Sequence, residues 1–205
     1  MQRSALIAAL LLSIAPRPLR ANDDLLARMA ALNPSVHSYS AVMHAHVTLT
    51  SFPFLSANIT ANYFHKNPDL DKVEVTAGLP AVAKGFSNLY AHLEPPSRWN
   101  AVYVVTKKAD DGKIATYTLV PRAQGNVTSI TATVNDASAT IRSMRWEYAA
   151  GGWASMDDHY ALIQGATLIA SQTGEVQEPS YSGDVTTTFS DYRLNPNLPD
   201  TLFTQ

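Results

Sequence analysis

Two histidines, His44 and His46, are the residues whose type and spacing come nearest to a metal site. They are separated by one residue, so their imidazoles would project from the same face of a β-strand. Histidine nitrogens are common ligands of zinc, and a third donor such as His65 or His159 would complete a site. The alternative is that both histidines lie among threonines on the polar face of a strand. We adopt this alternative and predict no metal.

A second candidate is the run Asp157-Asp158-His159, whose groups could act as a general acid and base. Neighbouring residues on a strand point to opposite faces, so Asp158 and His159 would not cooperate directly. We therefore interpret the run as a surface turn.

The sequence lacks the motifs that are typical of catalytic nucleophiles, catalytic zinc and phosphate binding. These are G-x-S-x-G, H-E-x-x-H, the P-loop and G-x-G-x-x-G. The sequence therefore predicts a protein that is not an enzyme and has no cofactor. A hydrolase that uses His44, His46 or His159 with an acidic partner is the alternative.

The first 21 residues have the pattern of a secretory signal peptide. Arg3 precedes an apolar run over residues 5–15, which is too short to span a bilayer, and prolines and arginines follow up to Ala21. We predict cleavage after Ala21, which leaves residues 22–205 as a single domain in the periplasm or outside the cell.

Charge and cysteine content exclude several classes of protein. The formal net charge is −2, and the leader holds three arginines and no acid, so the mature chain is more acidic still. A nucleic-acid-binding protein would instead show a basic patch. The chain has no cysteine, so disulfides, thiolate metal sites and a lipid-modified N-terminal cysteine are excluded, and burial alone must hold the domain together.

The elements that would position any site follow from the hydrophobic pattern. Residues 22–32 predict a short amphipathic helix, and the apolar and polar residues alternate over 41–50, which predicts a half-buried strand. Residues 58–66 and 72–76 predict two further strands, and 79–93 predict a second helix with an aromatic-rich apolar stripe.

From Trp99 onward the sequence predicts an antiparallel meander. Its strands fall at residues 99–107, 114–120, 127–134, 141–148, 153–160, 166–171 and 184–194, and a polar loop occupies 173–183. The pattern contains no βαβ alternation. The predicted fold class is mainly β (α+β), a curved antiparallel sheet that forms a half-open β-barrel with short helices as a lid.

Aliphatic and aromatic side chains predict one apolar concave face, which is either a filled core or a cavity, since both use the same residues. The residues that we expect to line a cavity and its lid are Met43, Val47, Phe52, Phe54, Leu55, Phe64, Val73, Val75, Phe86, Tyr90, Trp99, Tyr103, Trp146 and Tyr148. An error of one residue in strand register would turn each segment of this set to the other face.

Three segments form a recognisable pattern. They are residues 36–41, which lead into the first long strand, residues 63–69, which close the second, and the ending 187–203 with its pattern F-x-D-Y-x-x-N…L-P-D…F. Together they resemble the superfamily of bacterial outer-membrane lipoprotein carriers, the LolA/LolB-like proteins. The resemblance covers the mature chain and implies a half-open barrel that binds acyl chains without chemistry. Asn67 stands where the carriers have an arginine, and Lys66 precedes it.

We therefore expect a non-catalytic periplasmic carrier or binding protein for lipid, acyl chains or lipoproteins. The resemblance implies acyl chains as the ligand and a membrane-bound loading or receiving partner; we expect a monomer. An envelope sensor or interaction module on the same scaffold is the alternative.

Overall fold

The computed structural model describes residues 24–51, 55–78, 94–179 and 182–204. The predicted leader, the Phe52–Leu55 turn except for the backbone of Leu55, and the predicted helix at 79–93 lie outside the described residues. No described helix is long and apolar enough to cross a membrane.

Ten strands form one antiparallel sheet. They are β1 (Ser38–Leu49), β2 (Leu55–Lys66), β3 (Leu70–Ala77), β4 (Tyr103–Asp110), β5 (Ile114–Pro121), β6 (Val127–Asn135), β7 (Thr140–Tyr148), β8 (Trp153–Ile163), β9 (Ala166–Gln177) and β10 (Ser182–Leu194). Helix α1 spans Asp24–Ala30 and α2 spans Trp99–Val102, and two 3-10 turns cover Pro96–Arg98 and Asp200–Phe203.

The strand order is β3-β2-β1-β10-β9-β8-β7-β6-β5-β4, so the sheet is not one continuous meander. β1 pairs with the last strand, β10, and β3 and β4 form the two edges. The sheet curves without closing into a barrel, which confirms the predicted half-barrel.

Two predicted element boundaries are wrong. Trp99 begins the short helix α2 instead of a strand, because Pro95-Pro96 precedes it and proline favours the first turn of a helix. The predicted loop at 173–183 is mostly strand, because β9 continues to Gln177 and pairs with β10. Position 174 in this strand favours glycine, because a Cβ there would lie only 2.8 Å from the Val185 side chain and would clash with it.

The largest core lies where α1 packs on the sheet. Leu25, Leu26 and Met29 of α1 are buried, together with Trp99 of α2. They contact side chains of β4 to β7, such as Tyr117, which is fully buried. We call the face of the sheet that carries this core the inner face, and the opposite face the outer face.

The C-terminal segment is anchored at the β1–β3 end of the sheet. The ammonium group of Lys66 donates to the carbonyl of Leu198 and pairs with Asp200, and Lys72 donates to the carbonyl of Leu202. Asn195 accepts from the backbone N–H of His37 and holds the start of β1. The ending of the chain that carries the resemblance therefore fixes the sheet at its β1–β3 end.

Candidate ligand-binding site

Strand register defines a row of side chains that crosses the inner face of five strands. Residues directly opposite each other in a ladder project to the same face, and the pairing of β2, β1, β10, β9 and β8 aligns Ile59, Ala45, Thr187, Gln172 and Asp158. The row is apolar at one end and polar at the other. Three strand spacings of about 4.8 Å separate Ala45 from Asp158, a distance of about 14 Å.

The apolar end belongs to a small cluster that we call the aliphatic cluster. It comprises Ala45, Val47 and Ile59, with Leu49, Ala57, Val75 and Val185 packed against them. All of these residues lie on β1, β2, β3 or β10, and no described helix contributes to the cluster.

A second row on the inner face is aromatic and polar. β1, β2 and β3 align Tyr39, His65 and Asp71, and Tyr63 lies two residues before His65 on the same face. The Tyr39 ring stacks on His65 at 4.9 Å and lies 5.8 Å from the Tyr63 ring, and Tyr63 meets Phe189 edge-on at 6.0 Å. We call Tyr39, Tyr63, His65 and Asp71 the tyrosine cluster.

Hydrogen bonds fix the tyrosine cluster. The Tyr63 hydroxyl donates to Asp71 Oδ1 at 2.5 Å, and His65 Nδ1 lies 2.8 Å from the same oxygen. His65 Nε2 lies 2.9 Å from Asn67 Oδ1. Both ring nitrogens of His65 are therefore occupied, which leaves this histidine no free nitrogen to act as a base.

The pKa shifts of the tyrosine cluster indicate that its side chains are largely enclosed by protein. Burial raises the pKa of Tyr63 well above its ordinary value, and the charge of Tyr39 and that of Asp71 raise it further. Burial lowers the pKa of His65, but the hydrogen bond and the charge of Asp71 outweigh this, so the net shift is upward. Tyr39, Tyr63 and His65 nevertheless remain partly accessible to solvent, as groups that line a recess do.

Asp158 forms the polar end of the first row. Its Oδ1 accepts a hydrogen bond of 2.8 Å from the Gln172 amide, and its Oδ2 lies 3.5 Å from the Tyr160 hydroxyl. Burial raises the Asp158 pKa to about 6. Tyr160 lies two residues beyond Asp158 on β8. Burial, and then the charges of Asp158 and Tyr39, raise the pKa of Tyr160 well above its ordinary value.

The run Asp157-Asp158-His159 is therefore not the predicted surface turn, since it lies within β8. The opposite orientation of its neighbours is confirmed: Asp158 is half-buried on the inner face, whereas Asp157 and His159 are exposed.

His44 and His46 lie on the exposed outer face, as predicted. His46 Nδ1 lies 2.7 Å from Asn58 Oδ1, and His44 Nδ1 lies 3.4 Å from the Thr60 hydroxyl. His65 projects to the inner face and cannot join them. No group of three His, Cys, Asp or Glu that could hold a metal occurs in the described part of the chain.

The predicted cavity residues separate into four groups. Met43, Val47, Val73 and Val75 share the inner face of β1 and β3 with the tyrosine cluster. Trp99, Tyr103, Trp146 and Tyr148 belong to the other half of the sheet. There Trp99 and Tyr103 are buried, and Trp146 packs against the same core.

Phe64 lies on the outer face, opposite Ser40 and Lys72. Its placement on the inner face was wrong, because Tyr63 and His65 continue the alternation of Ile59 and Ala61. The last group, Phe52, Phe54, Phe86, Tyr90 and the side chain of Leu55, lies outside the described residues. A binding role stays a prediction for every residue of the set.

The polar residues of the inner face were missed as site residues. The signal for Tyr63 and His65 was present in the alternation of β2. Asp158 offered none, because its environment comes from Gln172 on β9 and from Tyr160. The run Asp157-Asp158-His159 was interpreted as a surface turn, although the strand predicted at 153–160 includes it and is confirmed.

Solved structures with this fold include proteins from three bacteria. A DUF1329 family protein from Desulfovibrio piger is 12% identical and superposes with a TM-score of 0.60 over 92% of this chain and 98% of its own. A LolA superfamily protein from Nitrosomonas europaea is 11% identical, with a TM-score of 0.58 over 88% and 96% of the two chains.

A domain described as an outer-membrane lipoprotein-sorting protein, from Vibrio parahaemolyticus, is 10% identical, with a TM-score of 0.60 over 87% of this chain and 93% of its own. No protein-family model and no curated protein matches the sequence. These likenesses establish the half-barrel fold, and its structural neighbours are DUF1329 and LolA superfamily proteins.

Proposed function

We propose that this chain, which has the fold of LolA superfamily proteins, is a non-catalytic carrier of apolar ligands in the bacterial cell envelope. The inner face of β1–β3 and β10 takes up an acyl chain of a lipid or lipoprotein. The single observation that carries the proposal is the aliphatic cluster, which the sheet alone supplies among the described elements.

The composition of this surface suits an acyl chain. Ala41, Met43, Ala45, Val47 and Leu49 occupy the inner face of β1 in unbroken alternation. Burying apolar surface contributes about 25 cal/mol per Å², so one acyl chain gains several kcal/mol without a polar anchor. Binding of this strength is reversible, and a carrier has to release its ligand.

The remaining elements of the proposal come from sequence. The predicted leader would export the chain, and the apolar stripe of the predicted helix at 79–93 would cover the inner face, with the Phe52–Leu55 turn beside it. A membrane-bound partner would load or receive the ligand, and the carrier itself would act as a monomer.

A variant that adds a bulky side chain to the inner face tests the proposal. Ala57 lies at the border of the aliphatic cluster and is partly accessible, so Ala57→Trp would place a large ring on the surface that the acyl chain needs. We expect this variant to weaken binding of a fluorescent fatty acid at least about tenfold.

The matched control is His44→Trp, which adds the same ring on the exposed outer face of the neighbouring strand. It should bind the fatty acid like the wild type. Equal affinities of the wild type and Ala57→Trp, with both proteins folded by circular dichroism, would contradict the proposal.

A further inference from the structure

Asp158 is a half-buried carboxylate on the inner face that has no cationic partner among the described residues. Its two contacts are the neutral amide of Gln172 at 2.8 Å and the neutral hydroxyl of Tyr160 at 3.5 Å. Every ion pair in the described residues involves other carboxylates, and no described lysine or arginine pairs with Asp158. A carboxylate in such a place is normally paired.

The charges that surround Asp158 do not supply the missing cation. Asp157 and His159 flank it on β8 but are exposed and project to the outer face. Tyr160 lies beside Asp158 on the inner face, and the tyrosine cluster, with Asp71, lies on the same face. His65 is already engaged by Asp71 and Asn67. Among the described residues, no cation of the inner face therefore pairs with Asp158.

Aromatic rings lie on the same face as Asp158. Tyr160 is beside it, and further along the face the Tyr39 ring lies 4.9 to 5.8 Å, between centroids, from the rings of His65, Tyr63 and Tyr192. The faces of such rings attract cations through their quadrupole, and the attraction grows where water is excluded. Carboxylate and tyrosine together suit an ammonium group, whereas they repel a carboxylate or a phosphate.

The position of Asp158 relative to the aliphatic cluster fits a single amphiphile. About 14 Å separates it from Ala45 along one row of the inner face, so a ligand with its tail on the aliphatic cluster reaches Asp158 with its head.

We propose that Asp158, with Tyr160, binds the ammonium group of a cationic or amine-bearing amphiphile whose tail lies on the aliphatic cluster. This assignment rests on the proposed carrier function and adds to it the chemistry of the head group. Gln172 holds the carboxylate in place from the neighbouring strand, and the ammonium group supplies a positive charge that no described residue provides.

Three single-chain probes of equal length test the assignment: dodecylamine, dodecanol and dodecanoate, titrated below their micelle concentrations at pH 7.5 and followed by tryptophan fluorescence. We expect the wild type to bind the amine about tenfold more tightly than the alcohol, and the carboxylate more weakly than the alcohol. Equal affinity for amine and alcohol would overturn the assignment while leaving the carrier function intact. Failure to bind any of the three would overturn both.

Two matched variants locate the preference. Asp158→Asn keeps the shape and an acceptor for Gln172 but removes the charge, so we expect the amine and the alcohol to bind equally, with the affinity for the alcohol unchanged. Asp157→Asn removes a charge from the adjacent residue on the outer face and should leave the tenfold preference in place. A preference that persists in Asp158→Asn, or that disappears in Asp157→Asn, would contradict the role of Asp158. The wild-type comparison stands by itself should either variant fail to fold.

Discussion

The two halves of the curved sheet use the same inner face in different ways. Over β4–β7 the face is covered by α1 and by Trp99, and the side chains between them are almost completely buried. Over β1–β3 and β8–β10 the buried clusters are smaller, and tyrosines, a histidine and two aspartates share the surface with aliphatic residues. One half has the composition of a structural core and the other the composition of a binding surface.

Under the proposed function, one half of the sheet provides stability and the other half binds the ligand. Arg28 of α1 pairs with Asp136 in the β6–β7 turn and also donates to its carbonyl at 2.7 Å, so the helix is fixed to that half at both its apolar and its polar side. A half-barrel with one filled half can maintain its fold while the other half exchanges ligands.

Removing the centre of the filled half should have the largest effect. Trp99 is 1% exposed, packs edge-on against Tyr117, and donates to the carbonyl of Glu94. We expect Trp99→Ala to lower the free energy of unfolding in urea by about 3–5 kcal/mol. The matched variant Trp153→Ala, at a half-exposed outer-face tryptophan, should lose about 1 kcal/mol. Equal losses would show that the filled half is not the structural core.

The next effect has the opposite sign and belongs to the half that we propose binds the ligand. Burial raises the Asp158 pKa from 3.8 to about 6, so the folded protein holds this proton more tightly than the unfolded chain does. Ionisation of Asp158 therefore lowers stability as the pH rises through about 6. At pH 7.5 we expect Asp158→Asn to be more stable than the wild type by about 1–3 kcal/mol, and the gain to vanish below about pH 4.

Urea unfolding at a series of pH values measures this gain, with Asp157→Asn as the control that should show none. A loss of stability in Asp158→Asn at pH 7.5 would mean that the carboxylate stabilises the fold, and the contrast between the two halves would weaken.

A smaller effect tests the tyrosine cluster. Burial lowers the pKa of His65, but Asp71 raises it by more, so the net shift is upward. The charged pair therefore stabilises the folded state below the ordinary histidine pKa of 6.5. This contribution is lost as the pH rises through the raised pKa of His65. We expect Asp71→Asn to destabilise by about 1 kcal/mol more at pH 5.5 than at pH 9. NMR titration should also place the His65 pKa lower in the variant; an unchanged pKa would contradict the assigned pairing.

The smallest effect is expected at the outer-face histidines. His44→Ala and His46→Ala remove exposed side chains, so each should change stability by less than about 0.5 kcal/mol and leave fatty-acid binding unaltered. A larger loss, or metal found in stoichiometric amount in the wild type and absent from the variants, would restore the metal site that the spacing suggested.

Local pattern was sufficient to predict part of this molecule. The alternation in β1 and the stripe on α1 are properties of a few neighbouring residues, and both elements formed where predicted. The pairing of β1 with β10 was not predictable in this way, because it joins residues far apart in the chain and depends on the curvature of the whole sheet. The environment of Asp158 could not be predicted for the same reason, because its contact Gln172 lies on the neighbouring strand β9.

Register explains the remaining error. Tyr63 and Phe64 are adjacent aromatic residues, and either could face inward on composition alone. The ladder with β1 settles the choice for Tyr63, which faces Ala41, while Phe64 faces Ser40.

Native mass spectrometry of the protein, purified gently from a bacterial envelope without detergent, tests the central claim most directly. We predict that a fraction of the molecules carries the added mass of one amphiphile, and that this added mass is absent from Ala57→Trp and present in His44→Trp. A reproducibly bare polypeptide mass in the wild type, together with no binding of long-chain probes, would contradict it.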